Sequence, residues 1–176
     1  VGAPQAADKE LVTSGTKIGR GCKFRCLLSD APIEETHIKE AGKRGELDIT
    51  LMAIVCEGNR GRVYLSPDPE SESVAKSVEA ANFDEIIAPL ADDPRNLWCL
   101  GYGIDTFDKL FTSRQLVALV TLSDLVIEVR KKVGKECETN NSSQEYADGI
   151  ATYLAFAANK MTDLANMGCP WEPVAQ

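Results

Sequence analysis

The sequence predicts an α+β fold: a small antiparallel β-sheet or hairpin region, followed by a packed pair of long antiparallel helices. Two observations carry this. The apolar pattern changes from a period of about 2 around residues 48–65 to about 3.6 beyond residue 112. Thr112 with Gln115, and Ser142 with Glu145, have capping-box spacing, in which a hydroxyl takes a free backbone N–H and the longer side chain reaches back. Each box precedes a long helical pattern. With 176 residues the chain can bury a core. It divides into a flexible leader, 1–16, and a single domain, 17–176, sheet-rich over 17–66 and helix-rich over 67–176.

The leader is small and polar without period. Lys17, Arg20, Lys23 and Arg25 then alternate with Ile18, Cys22, Phe24 and Cys26, as in a strand with one charged face. A helix follows, with Pro32 in its first turn, Glu34 and Glu35 favouring its N-terminus, and Gly42 and Gly45 ending it near Lys43 and Arg44. Residues 48–56 read as a strand. Ile49, Leu51, Ala53 and Val55 line one face and Met52, Ile54 and Cys56 the other, so the strand is expected to be central and covered on both sides. A Gly-containing connection returns the chain through residues 62–65 as a hairpin.

Asp68 is placed to cap a helix whose first position is Pro69, where a missing N–H costs nothing, and Glu70 and Glu72 suit that end. Pro89 and Pro94 mark a loop. From Leu116 the next helix is apolar at Val117, Leu119, Val120, Leu122, Leu125, Val126, Ile127 and Val129. That is wider than the usual stripe of about 100° and demands cover from more than one neighbour. Residues 135–144 read as a turn or flexible loop. The last helix carries Tyr146, Ile150, Leu154, Ala157, Met161 and Leu164 along one stripe, with small Ala positions that allow close approach to its partner. Gly168 and Pro170 end it.

Composition restricts function. Lys and Arg number 19 against 27 Asp and Glu, and the net charge of −8 argues against a module whose whole surface tracks a phosphate backbone. The charge is uneven. Residues 11–29 hold four cations and no acid, whereas residues 67–108 hold ten acids and only Lys76 and Arg95. Arg130, Lys131, Lys132 and Lys135 are what a helix C-terminus favours. Six loosely spaced cysteines do not read as a disulfide framework. Asp124 and Glu128 interrupt the longest apolar run below the ~18 residues of a membrane span. A soluble cytoplasmic protein without membrane partners is expected.

Chemistry-bearing residues are few. His37 is the only histidine, so a His-based metal cluster cannot be assembled and the residue is expected on the surface. Gly101-Tyr102-Gly103 lacks the third glycine and the Lys-Ser/Thr of a phosphate loop and reads as a turn. Asp105, Asp108 and Asp124 read as solvated helix-cap acids. Cys22 and Cys26 supply two thiols; with serine at position 29, four good zinc ligands are not available, and no structural zinc is expected.

The segments "RCLLSDAPIEETHIKEAGKRGELDITLMAIVCEGNRGRVYLSP", "YGIDTFDKLFTSRQLVALVTLSDLV" and "YADGIATYLAFAANKMTDLANMGCPW", spanning about residues 19–171, resemble in order the middle region of large prokaryotic adenine-specific DNA methylases that contain a zinc ribbon. "LFTSRQL" and "GRVYLSP" are the most characteristic pieces. In that family a glycine-rich S-adenosylmethionine motif precedes this region and an Asp/Asn-Pro-Pro-Tyr catalytic motif follows it; neither is present here, and no Pro-Pro occurs. The resemblance implies an accessory or inserted domain excised from a larger methyltransferase and not catalytic alone. S-adenosylmethionine would serve the parent, with no cofactor in this fragment. Cys26 and Ser29 fall where many relatives have the second C-x-x-C of the ribbon, which the serine makes degenerate.

A methyltransferase that acts on a base in duplex DNA must extrude it, so flanking elements have to hold the strands. Arg20, Lys23, Arg25, Lys43, Arg44, Arg60 and Arg62 are the candidate phosphate contacts; Arg60 and Arg62 flank Gly61 at the hairpin tip. Expected partners are the remainder of the methylase and DNA, and the apolar helix face offers itself to a second copy of the chain. The alternative is a protein-interaction or structural module with no nucleic-acid role, docking a partner through the acidic 67–108 region or the apolar helices. The net charge favours that alternative.

Overall fold

The computed structural model describes residues 9–59, 61–78, 87–93, 95, 99–140 and 144–169. The fold is α+β, and among the described residues it comprises two two-stranded antiparallel sheets and a packed pair of long helices. Contacts divide the chain into two compact units, Val1–Lys76 with Leu90–Asp105 and Ser77–Pro89 with Thr106–Gln176. Residues 90–105 return to the first unit because the Gly103 backbone packs directly on the Gly42 carbonyl.

In the first unit, α1 (Lys9–Ser14) forms within the segment expected to be a leader. The anticipated basic strand is reduced to an isolated bridge between Lys17 and Phe24 and a short β1 (Phe24–Arg25). Gly19 and Gly21 explain this: at φ 63° and 85° they leave the extended region and bend the chain around Arg20. β1 pairs with β2 (Pro32–Ile33), so Pro32 lies in a strand and not in a first helical turn. Its missing N–H is tolerated at the edge of a two-stranded ladder. α2 (Glu35–Lys43) starts after Glu34, whose backbone is extended, and ends at Arg44.

β3 (Ile54–Gly58) and β4 (Gly61–Leu65) form the expected hairpin, with Glu57 opposite Arg62 and Gly58 opposite Gly61. The longer central strand over 48–56 does not form. β4 reaches only to Leu65 opposite Ile54, so among the described residues 48–53 have no ladder partner and both strands are edges. Val55, Val63, Tyr64 and Leu65 are correspondingly exposed. α3 (Pro69–Lys76) begins as anticipated, its Ser71 N–H donating to the Asp68 carboxylate at 2.7 Å.

In the second unit, a 3-10 turn (Asp108–Leu110) leads into α4 (Ser113–Thr139). The Thr112–Gln115 capping box is present on both sides: the Gln115 N–H donates to Thr112 Oγ1 at 3.4 Å, and the Thr112 N–H donates to Gln115 Oε1 at 2.8 Å. α4 runs through residues 135–139, read from sequence as loop. There Gly134 and Cys137 are buried, and a Cβ on Gly134 would meet the Gln144 amide at 2.9 Å. Tertiary packing thus outweighs the polar local composition. α5 (Gln144–Leu164) packs on α4 through Ala147 and Ala151, both buried. Ser142 and Pro170 lie outside the described residues.

The core is thin. Among the described residues the buried apolar set is Ala41 in the first unit and Leu116, Cys137, Ala147 and Ala151 in the second. The large residues of the expected α5 stripe, Tyr146, Leu154, Met161 and Leu164, are exposed. No described helix is long and apolar enough to cross a membrane.

Candidate nucleic-acid interface

The cation-bearing segment of the first unit is held by a closed set of side-chain contacts. Lys39 Nζ pairs with Glu35 Oε1 at 2.6 Å across one turn of α2, and the same ammonium lies 5.5 Å from the centre of the Tyr102 ring. The Tyr102 hydroxyl donates to Cys22 Sγ at 3.0 Å. The Lys39 ammonium holds the Glu35 carboxyl below its ordinary range, and the Cys22 backbone N–H donates to the same carboxylate. Cys22, Glu35, Lys39 and Tyr102 therefore form a ring that ties the 19–22 bend to α2 and to the 3-10 turn Cys99–Tyr102. Gly101-Tyr102-Gly103 is a packing element, not a phosphate loop: Gly103, at φ 83°, abuts α2 backbone.

Acceptance of its hydrogen bond by Cys22, helped by burial, pushes the Tyr102 phenol up to about 12. A raised phenol pKa means the contact is fully in place below the ordinary tyrosine value and is lost as pH rises through the folded value. Absorbance titration should show a tyrosine ionising near 12. Tyr102→Phe should remove that step and lower stability by about 0.5–1.5 kcal/mol in chemical unfolding. An unchanged titration curve would contradict the assignment.

Ahead of β2 the chain makes a tight turn. Cys26 N–H donates to the Ala31 carbonyl at 2.9 Å, Asp30 N–H to the Cys26 carbonyl at 2.9 Å, and Arg25 Nη1 to Asp30 Oδ2 at 3.1 Å. The Ser29 hydroxyl and the backbone N–H groups of Ser29 and Leu28 converge on Cys26 and hold its thiol below the usual range. Ser29 thus donates to the sulfur beside it. Among the described residues no three His, Cys, Asp or Glu side chains gather as a metal site requires. His37 is exposed on α2.

The candidate phosphate contacts fall on three separate elements. Arg20, Lys23 and Arg25 occupy the 17–25 segment and are exposed. Lys23 Nζ meets Glu34 Oε2 at 2.8 Å, which raises the ammonium's pKa, and Arg25 pairs with Asp30. Both pairs are open to solvent, where an ion pair is weak and exchanges readily for another anion. Lys43 is exposed at the end of α2. Arg44 there is engaged by Glu46 through two bonds of 2.8 Å, with Glu40 at 3.9 Å, which makes it the least available of the set. Arg62 is exposed on β4 opposite Glu57; Arg60 lies outside the described residues.

Sequence reading missed two features here. Tyr102 was indistinguishable from an ordinary turn residue because its partner is eighty positions away in the chain. Leu27 and Leu28, 88% and 98% exposed, stand at the tip of the turn; the only signal was an apolar pair between Cys26 and Ser29, which reads equally as core. In the second unit, Leu122, Leu125 and Val129 of α4 with Leu154, Ala157 and Met161 of α5 line an apolar groove of about 400 Å³. Comparison with protein-family models, curated proteins and solved structures finds no match to this chain.

Proposed function

We propose that this chain is an accessory domain of an S-adenosylmethionine-dependent, adenine-specific DNA methyltransferase, one that contacts DNA and does not itself catalyse transfer. The observation that carries the reading is the acid-free segment 11–29, whose cations project from a bend fixed by the Cys22–Glu35–Lys39–Tyr102 ring. A fixed bend presents charge without first ordering a loop, so less conformational entropy opposes binding. The cofactor and the catalytic motif belong to the remainder of the cytoplasmic parent methylase, which the resemblance supplies as the principal partner. Exposed apolar surface on α4 and α5 supports such a covering neighbour, because patches of that kind mark interaction sites.

A second reading, a protein-interaction or structural module with no nucleic-acid role, is favoured by the net charge of −8 and the same apolar groove. Duplex-DNA binding measured across a salt series separates the two. Phosphate contacts release condensed counterions, so affinity falls steeply with salt in the first reading. In the second, no such binding is seen.

A further inference from the structure

We infer that the turn at residues 26–30 is a wedge for duplex DNA, with Leu27 and Leu28 entering a base step while Lys17, Arg20 and Arg25 hold the flanking phosphates. The inference rests on the DNA-contacting reading above and names the mode of contact. Single exposed leucines are ordinary. Two adjacent ones, 88% and 98% exposed, at the tip of a turn closed by backbone bonds at both ends are not explained by packing. The turn is built to keep its shape: Asp30 adopts φ 59°, an uncommon conformation for a residue with a side chain, and the Arg25 bond to Asp30 fastens the two limbs.

Lys17, Arg25 and Leu27 border one hollow of about 500 Å³, together with the backbone of Gly15 and Gly19. Both glycines have positive φ, and a Cβ on either would meet nothing within 4 Å. Neither glycine therefore carries a side chain that would crowd a phosphate entering the hollow beside Lys17 and Arg25. The acids facing this region are Asp30 and Glu34, each already committed to a solvent-exposed pair. Two apolar side chains are too little area for a stable protein interface or for firm lipid anchoring. They are what minor-groove proteins insert between base pairs beside Arg and Lys. A kinked, partly unstacked step would also ease extrusion of a base for methylation.

The test uses the whole chain and a duplex carrying 2-aminopurine, whose fluorescence rises on unstacking, with anisotropy across a salt series alongside. Wild type is expected to bind in a salt-dependent way and to raise the fluorescence. The Leu27→Ala/Leu28→Ala variant, checked for unchanged circular dichroism, should lose that rise and bind more weakly with the same salt slope, because leucines carry no charge. Arg20→Ala should keep the fluorescence change at saturation and reduce the slope by about 1. Salt-dependent binding without a fluorescence rise, or a rise that survives loss of both leucines, overturns the wedge and leaves the accessory-domain reading standing. Absence of DNA binding overturns both. Leucine-dependent binding to anionic phosphatidylserine vesicles with no DNA binding assigns the turn to a membrane surface and overturns both as well.

Discussion

Gly103→Ala is expected to destabilise the first unit by on the order of 2–5 kcal/mol. Two costs combine. At φ 83° an alanine occupies the left-handed region, a penalty of about 1–2 kcal/mol. The new Cβ would also fall on the Gly42 carbonyl group and 2.9 Å from Lys43 Cα, which are backbone atoms of α2 and cannot swing aside. Overpacking of this kind adds about 1–3 kcal/mol. Since Tyr102 precedes Gly103, displacement should also separate its hydroxyl from Cys22, and the phenol near 12 should move back toward an ordinary tyrosine value. Chemical unfolding together with the absorbance titration reads both effects. Wild-type stability with the high titration step intact would mean that residues 99–105 are not anchored on α2 as described.

Leu116→Ala should cost the second unit a comparable amount, about 2–5 kcal/mol, from lost transfer energy and the cavity left behind. Leu116 is the largest of the buried residues described there; its companions Cys137, Ala147 and Ala151 are small. A unit with so few buried groups has little reserve, because whole domains are stable by only about 5–15 kcal/mol. Amide hydrogen exchange in α4 and α5 should therefore accelerate together in the variant. Leu125→Ala is the control: Leu125 is 48% exposed, and its removal should change stability by about 0.5 kcal/mol or less. Equal losses from the two substitutions would show that the groove side of α4 is covered by something in solution, as the second copy or parent methylase anticipated from sequence would do.

The features legible in the sequence are those decided within a few residues. The Thr112–Gln115 box and the Asp68–Ser71 cap depend on local side chain-to-backbone bonds and form where expected, and the chain turns back between glycines 58 and 61, although the first hairpin strand is Ile54–Gly58 and not 48–56. The misread features depend on partners distant in sequence or on their absence. Residues 48–53 alternate like a buried strand yet have no neighbour to pair with among the described residues. Pro32 suits a helix start equally well, but β1 claims it as a strand partner. Residues 135–139 are polar enough for a loop, and burial of Gly134 and Cys137 keeps them helical. For the candidate site, charge was visible and scaffolding was not. Arg20, Lys23 and Arg25 stood out as cations, whereas the ring that fixes them joins positions 22, 35, 39 and 102.

The salt dependence of duplex-DNA affinity tests the central proposal most directly. With Lys17, Arg20, Lys23 and Arg25 as phosphate contacts, the logarithm of the binding constant should fall against the logarithm of salt concentration with a slope of about −3 to −4, at roughly 0.9 per contact. The Arg20→Ala/Lys23→Ala/Arg25→Ala variant should flatten it to about −1, the share left to Lys17. Arg95→Ala, which removes an exposed cation already engaged by Asp93, should leave it unchanged. Absence of binding at low salt, or a wild-type slope retained by the triple variant, would contradict a role for this segment at DNA.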